Sequence, residues 1–407
     1  MTTETPQLSL ARGIPLSEET GIGALTLGEY IREVTQCFAD HEAAVMSAEG
    51  STERWSYAEL WQRSRQVAKA LLASGVGKGT RVGLLMTNRL EFLSGFFGTA
   101  LAGGVATTIS TFFTAKEVDE VLAASGCSVL LFERRVLKKD FAQVMCELIP
   151  DLSNASNSSS SIQSDRYPFL RHLAMVDEQD NIGAIEGWQH FLRRGDSISD
   201  SLVDAASASN SPSDPGTLFF SSGSTGKAKG ILNTHRAVCL QLWRWKNWWG
   251  IEQPPRTWSA NGFFFSGNFC MALGGTLSSG GSLILQRYFD AEAALSLMQQ
   301  ETATMLLAWP HPWAQIQGAP DYADTDLSSL HYIDAQSPIA EHPTINTEWR
   351  EPTQAYGSTE GFTLVSVYPA GTPESIHKNS HGLPTAGGAI KIVDPLTGEI
   401  VPIGERG

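Results

Sequence analysis

Gly216-Thr217-Leu218-Phe219-Phe220, followed directly by Ser221-Ser222-Gly223-Ser224-Thr225-Gly226-Lys227-Ala228-Lys229-Gly230, is the stretch on which the fold turns. The first five residues are a short apolar run and read as a buried strand. The next ten combine backbone freedom, hydroxyl donors and cations. Glycine permits positive φ and lets backbone N–H groups approach phosphate oxygens, serine and threonine add side-chain donors, and lysine supplies mobile positive charge. A strand running straight into such a loop predicts a polyphosphate site rather than a flexible Ser/Gly linker. The order G-x-x-x-x-G-K-[ST] does not occur, so the loop is not of the Walker type.

Working outward, Arg81 to Met86 reads as a strand, Glu91 to Ala102 as a helix and Ser128 to Phe132 as a strand, the alternation of βαβ units in a parallel sheet. The pattern continues past the loop, with a helix over Arg236 to Trp249 ending at Gly250, strands at Ser282 to Leu285 and Thr304 to Ala308, and a helix at Ala291 to Gln300. Residues 151 to 165 and 196 to 214 are rich in Ser, Asn and Asp and are expected to run over the surface as loops. Ala389 to Val393 and Glu399 to Val401 flank Asp394-Pro395-Leu396-Thr397-Gly398 and predict a hairpin.

Three further segments carry candidate chemistry. In Gln354-Ala355-Tyr356-Gly357-Ser358-Thr359-Glu360-Gly361, Thr359 offers a donor to a phosphate oxygen and Glu360 a hard oxygen ligand for Mg²⁺; alone, the octet fits an ordinary turn equally well. Leu330 to Pro338 reads as a strand ending in the loop Ala335-Gln336-Ser337-Pro338. In Gly262-Phe263-Phe264-Phe265-Ser266-Gly267 the aromatic rings suit core packing as well as a substrate-gating role. Trp243, Trp245, Trp248 and Trp249 suit the packed face of a helix, and His235, after Thr234, suits a hydrogen-bonding role at that helix start. No G-x-S-x-G elbow and no zinc-ligand spacing occur.

The ten-residue loop resembles the phosphate-binding signature of the adenylate-forming superfamily, which includes acyl-CoA synthetases, luciferases and the adenylation domains of peptide synthetases. The octet at 354–361 is similar to that family's Tyr-Gly-x-Thr-Glu motif in order and spacing, and Trp55 to Leu60 with Gly75 to Val82 resemble its opening segments. The resemblance implies an α/β fold, the family's large N-terminal domain: two parallel-rich sheets flanked by helices plus the start of a small β-barrel. The expected organisation is a first α/β subdomain over 1–215, a second over 216–375 carrying the nucleotide and acyl site, and the barrel start over 376–407.

What the resemblance implies for the site is a nucleotide contacted by Ser221, Ser222, Gly223, Ser224, Thr225, Gly226 and Lys229, by Ala335, Gln336 and Ser337, and by Gln354, Ala355, Tyr356, Gly357 and Thr359. Tyr356 stacks on adenine, Thr359 contacts the α-phosphate, Glu360 holds Mg²⁺, and Lys229 is the lysine assigned to the phosphates. Phe264, Phe265, Ala335, Gln336 and Gly357 border the acyl group. The sequence departs from the family at Ala228 (usually Pro), Thr80 (usually acidic), Ala335 and Gln336 (often Gly), and Phe264. At Phe264 the amino-acid-activating relatives carry an aspartate that pairs with an α-ammonium, and a bare ammonium would be costly beside phenylalanine.

The implied function is ATP-dependent conversion of a hydrophobic or aromatic carboxylic acid to its acyl-adenylate, then thioester formation with coenzyme A. Two readings stand beside it: loading of a carrier-protein phosphopantetheine, and a catalytically silent nucleotide- or acyl-binding module. The family also has a mobile C-terminal domain with a catalytic lysine, preceded by a ribose-binding aspartate; neither lies before Gly407, so impaired turnover of this 407-residue chain is expected. With a net charge of −14, an extended surface for nucleic acid or anionic membrane is not expected. The five cysteines lack C-x-x-C spacing and are expected to be reduced core residues, and the N-terminal MTTETPQLSL lacks signal-peptide character, which points to the cytoplasm.

Overall fold

The computed structural model describes residues 7–48, 50–154, 162–222, 228–351 and 355–407. Two large sheets dominate. The seven-stranded sheet runs Glu186–Gly187, His172–Met175, Val129–Phe132, Arg81–Leu85, Val105–Thr108, Pro215–Ser222, Ala228–Thr234. It is parallel throughout except for the last pair, an antiparallel hairpin. The five-stranded sheet runs Met305–Leu307, Arg256–Ser259, Ser282–Leu285, Glu42–Ala48, Ser51–Ser56, again parallel except for its last pair.

Period-2 alternation within the strands explains how the layers stack. Leu84, Val129 and Leu131 of the first sheet share one core with Ala44, Leu283 and Met305 of the second, and helices Leu27–Cys37, Tyr57–Ala73, Leu90–Leu101 and His235–Trp248 fill the space between. The alternate residues face outward. Leu85, Leu130 and Phe132 pack under helices Ala115–Ser125 and Phe141–Leu148. Val45, Ile284 and Leu306 pack under Ala291–Gln300 and Pro310–Gln317. The result is five layers with a shared helical layer in the middle. Leu90–Leu101 lies in that layer and is buried at every residue except Glu91, as its near-continuous apolar sequence requires.

The sheets cross the sequence division at residue 215. Glu42–Ser56 supplies strands to the second sheet, while the hairpin over 215–234 completes the first. The surface-loop expectation for 196–214 is corrected: Asp200–Ala208 is a helix capped by Ser199, whose hydroxyl accepts from Leu202 N–H. Its Val203 and Ser207 are buried, and Asp204 pairs with Arg65 at 2.6 Å, so small residues and ion pairs replace the bulky apolar face that composition would have revealed. Asp151–Asn154 is likewise a short helix, and 155–161 lie outside the described residues. The strand expected from Leu330 reduces to one parallel bridge, Met305 to Tyr332, because His331 and Tyr332 both direct their N–H groups to Thr304 O. The terminal hairpin is present as the bridge Val393 to Ile400, and Ala389–Lys391 pairs with Leu10–Arg12. Cys127, Cys239 and Cys270 are buried and unpaired as expected, whereas Cys37 is exposed. Among the described residues no helix is long and apolar enough to cross a membrane.

The carboxyl ends of the parallel strands of both sheets converge, and a buried ion network ties them there. Glu133, fully buried just past Val129–Phe132, accepts from Thr87 N–H at 3.0 Å and from Arg287 Nε at 2.7 Å, with Arg89 Nη1 at 3.4 Å. Arg287 follows Ser282–Leu285 of the other sheet. Removing one partner of a buried pair leaves an uncompensated charge, so Arg287→Ala is expected to destabilise the protein by about 3 kcal/mol in chemical denaturation; a change within error would contradict this role.

Candidate active site

The long hairpin delivers the first group. In its register Ser221 faces Lys229 and Ser222 faces Ala228, which brackets the Gly-, Ser- and Thr-rich loop; Lys229 is exposed. Gly223, Ser224, Thr225, Gly226 and Lys227 lie outside the described residues, as does Gln354. Just below the loop, Phe219 is buried with its ring 5.6 Å from Phe269 and 5.6 Å from Phe362.

Phe362 belongs to the second group. Tyr356–Ser358 pairs antiparallel with Thr363–Val367, and Thr359-Glu360-Gly361-Phe362 makes the tight connection. Phe362 and Thr363 have φ of 44° and 73°, left-handed values that cost non-glycine residues roughly 1–3 kcal/mol each. Two contacts hold them there. Phe362 is pinned by Phe219, and Thr363 Oγ1 donates to Gln241 Oε1 at 2.6 Å, while Gln241 Nε2 donates to Leu364 O at 2.8 Å. Gly357 cannot be replaced: a Cβ there would sit 1.8 Å from Thr363 O. The connection presents Tyr356, 61% exposed, with exposed Glu360 and partly buried Thr359.

The third group arrives from the second sheet. Asn88, after the first-sheet strand Arg81–Leu85, donates to Asn261 O at 2.7 Å and accepts from Phe263 N–H at 2.8 Å, fixing the phenylalanine segment across the two sheets. Gly262 is required beneath the Phe264 ring, where a Cβ would meet Cε1 at 2.3 Å. Ser266 Oγ then donates to Thr359 Oγ1 at 3.3 Å, so the phenylalanine segment and the Thr-Glu motif touch. Phe264 is buried and lines a cavity of about 550 Å³ at the strand ends, with Phe112 edge-on at 5.3 Å. Among the described residues, the wall contains Lys138, Lys139 and Arg287 and no carboxylate. Lys139 Nζ donates to the carbonyls of Thr111, Phe112 and Phe113, and burial lowers its pKa. Phe265 packs between Phe264 at 4.7 Å and Trp309 at 5.3 Å, outside that wall.

Ala335, Gln336 and Ser337 sit in a loop organised by Asp334, whose Oδ1 accepts from Gln336 N–H and whose Oδ2 accepts from Glu351 N–H, both at 2.7 Å. Ala335 N–H donates to Trp349 O at 2.9 Å. These bonds tie the loop to the segment that leads into Ala355 and Tyr356. Ala335, Gln336 and Gly357 are not in the wall of the cavity at Phe264. Glu351 went unremarked in the sequence; burial pushes its carboxyl up to about 7, the Trp249 indole opposes the rise and the Asp334 charge adds to it. Gln241 and Ser266 were also missed. A polar Gln on the apolar face of the helix His235–Trp248 was the available signal for the first; the second becomes visible only once Thr359 is beside it.

His235 has the hydrogen-bonding role expected of it. Thr234 Oγ1 caps the helix by accepting from Ala237 N–H, and Leu27 N–H donates to His235 Nδ1 at 3.3 Å, which places the ring proton on Nε2. Among the described residues no cluster of three or more His, Cys, Asp or Glu is positioned for a metal.

The family model for AMP-binding enzymes matches residues 31–407. The chain belongs to the AMP-binding enzyme family. It is 27% identical over 396 residues to the acyl-CoA ligase SID4 of Ajellomyces capsulatus, covering 94% of this chain and 64% of that protein. With the mitochondrial medium-chain acyl-CoA ligase ACSF2 of Danio rerio it shares 26% identity over 403 residues, 94% of this chain and 63% of the relative. The chain thus spans a little under two thirds of the length of these curated relatives. In fold it is similar to the anthranilate CoA ligase AuaEII in complex with anthranoyl-AMP, with a TM-score of 0.70 at 22% identity over 96% of this chain and 69% of that one. The N-terminal domain of FACL13 from Mycobacterium tuberculosis gives 0.69 at 22% identity, covering 92% and 86%. The AMP-binding chain therefore has the adenylate-forming N-terminal fold.

Two outcomes follow from this geometry. Gln241→Ala strands the Thr363 hydroxyl and the Leu364 carbonyl, and is expected to lower stability by about 2–3 kcal/mol in chemical denaturation; wild-type stability would contradict the strain account. Burial lowers the His235 pKa to about 4, with Asp214 opposing and Lys78 reinforcing the shift. The unfolded chain takes up this proton as pH falls below about 6.5 and the folded chain does not, so stability is lost from about pH 6.5 toward 4. Melting temperatures across that window should fall less steeply for His235→Gln than for the wild type; identical slopes would contradict the assignment.

Proposed function

We propose that this chain activates a hydrophobic or aromatic carboxylic acid with ATP, forming an acyl-adenylate and releasing pyrophosphate, and that coenzyme A accepts the acyl group in the complete reaction. The observation that carries the reading is the junction at Phe219, where the hairpin bracketing the phosphate loop meets the Thr359-Glu360 connection, itself hydrogen-bonded to Ser266. The two segments that meet there carry an exposed cation (Lys229), a hydroxyl (Thr359), an exposed carboxylate (Glu360) and an exposed phenol ring (Tyr356), groups suited to binding a nucleoside triphosphate.

In this reading a carboxylate oxygen attacks the α-phosphorus and the bond to the β-phosphate oxygen breaks. The chain contributes positioning and charge complementarity. Ser221, Ser222, Gly223, Ser224, Thr225, Gly226 and Lys229 hold the phosphates, Thr359 donates to the α-phosphate, and Tyr356 lies against adenine with Gln354, Ala355, Gly357, Ala335, Gln336 and Ser337 around it. A single exposed carboxylate suits Mg²⁺, which keeps most of its coordination for substrate phosphates and water, and Glu360 is the residue that would hold it. When bound, that ion neutralises charge on the departing pyrophosphate.

Phe264 and Phe265, with Ala335, Gln336 and Gly357, are proposed to border the acyl group. Phe264 offers no counter-ion for an α-ammonium. The neighbouring cavity has Lys138 in its wall beside Lys139 and the Glu133-paired Arg287, with no carboxylate among the described lining residues, which supports an anionic second substrate such as coenzyme A.

Acid-dependent exchange of labelled pyrophosphate into ATP tests the reading. Exchange is expected with an aryl or hydrophobic acid, to vanish with EDTA, and to fall roughly 10- to 100-fold in Thr359→Ala and Glu360→Gln. ATP binding without acid-dependent exchange across a panel of acids would overturn it in favour of a silent nucleotide-binding module.

A further inference from the structure

Lys139 stands in the wall of the cavity beside Phe264, where a cation would ordinarily meet an anionic substrate, yet its donors are already taken. An ammonium has three N–H donors and no acceptor. All three are met by successive main-chain carbonyls, those of Thr111 and Phe112 at 2.8 Å and of Phe113 at 3.0 Å. Burial works against the charge, with the Glu117 carboxylate opposing the shift, and the converging carbonyl dipoles offset that cost. Hydrogen bonds with an ionised partner are roughly twice as strong as neutral ones, so this lysine fastens one segment of backbone to another.

Both fastened segments line the cavity. Residues 110–113 leave the strand Val105–Thr108 as a tight turn, in which Phe112 N–H donates to Ser110 Oγ at 3.1 Å and Phe113 N–H to Ser110 O at 3.3 Å. Arg135–Val136 and Lys139–Asp140 form a hairpin closed by Leu137 and Lys138, with Leu137 at a φ of 55°. A leucine held in that left-handed conformation marks a turn fixed by its surroundings. The hairpin is anchored at both ends. Arg287 Nη2 donates to Arg135 O at 3.2 Å, and Asp140 caps the helix Phe141–Leu148 by accepting from Gln143 N–H at 3.1 Å. Lys139 extends that anchorage to the 110–113 turn.

The turn carries Phe112, which is 69% exposed. Its ring meets Phe264 edge-on at 5.3 Å and 81° and lies 6.2 Å from Phe265. Edge-to-face pairs depend on ring placement, and a ring that is mostly in solvent keeps one placement only if its backbone is held. Three bonds to three consecutive carbonyls hold that backbone in both position and direction. Phe264, in turn, is the wall that the cavity shares with the proposed acyl side.

We propose that Lys139 is a positioning residue for the second half-reaction: its ammonium latches the 110–113 turn to the hairpin, so that Phe112 stays edge-on to Phe264 and the cavity keeps the shape in which it takes coenzyme A. The inference rests on the reading of coenzyme A as acceptor and assigns the residue that shapes its cavity. Lys139 acts through Phe112 and takes no part in adenylate chemistry.

Calorimetric binding of coenzyme A to the folded 407-residue chain, with acid-dependent pyrophosphate exchange measured beside it, tests this role. Lys139→Met keeps a long side chain and removes the donors; it is expected to bind coenzyme A about tenfold or more weakly, with a much smaller change in exchange. Phe112→Ala, at an exposed position, should reproduce that loss, and the double variant should bind no more weakly than either single one, because both act through the same ring. Lys139→Ala should regain affinity in n-propylammonium, which replaces the missing atoms and donors, and not in propanol. Lys139→Arg keeps the charge but presents a planar fork to converging carbonyls, and should recover only part. Unchanged coenzyme A affinity in folded Lys139→Met, additive losses in the double variant, or an equal loss of exchange would overturn this proposal and leave the adenylation reading standing. Failure of the wild-type chain to bind coenzyme A would overturn the proposal together with the choice of acceptor, and failure of the wild type to catalyse exchange would overturn the adenylation reading and this proposal with it.

Discussion

Phe219 points inward from the strand Pro215–Ser222, and its contacts with Phe269 and Phe362 are the constraint on which the site depends. Each of the three rings sits within a few residues of a group in the proposed site: the loop proposed to hold phosphate after Phe219, Ser266 before Phe269, and Thr359-Glu360 before Phe362. Aromatic packing is short-ranged and close to incompressible, so fixing the rings fixes the spacing of the groups. The strained φ values at Phe362 and Thr363 belong to the same arrangement. Their cost is offset by the Phe219 contact and the two Gln241 hydrogen bonds, which an unstrained turn would not require.

A second level of organisation sits one layer out. Both sheets turn the carboxyl ends of their parallel strands toward the same crevice, the location where open α/β sheets characteristically bind ligands. Asn88 and the Glu133–Arg287 pair join the sheets at that edge. The binding surfaces are loops, but loops whose ends are held by buried polar bonds between rigid layers.

Much of this was legible in the sequence because the relevant signals are local. Apolar runs at Arg81 to Met86 and Ser282 to Leu285, the helix over Arg236 to Trp249 and the phosphate hairpin all appear close to where periodicity and turn chemistry place them. The exchange of Glu42–Ser56 into the second sheet was not legible, since strand partners far apart in sequence leave no mark on a single chain. The helix Asp200–Ala208 was hidden by its small residues, which pack closely without raising hydrophobicity. Glu351 and Gln241 were hidden for a related reason: a polar residue acquires its meaning from the apolar walls around it, and those walls come from other segments.

The central claim is that a carboxylate oxygen becomes bonded to the α-phosphorus of ATP. Reaction of a carboxylate-¹⁸O-labelled aromatic or hydrophobic acid with ATP and hydroxylamine in the presence of this chain, with mass analysis of the nucleotide product, follows that bond. The account predicts AMP carrying one ¹⁸O from the acid. Formation of ADP, with the label in inorganic phosphate and none in AMP, would contradict it.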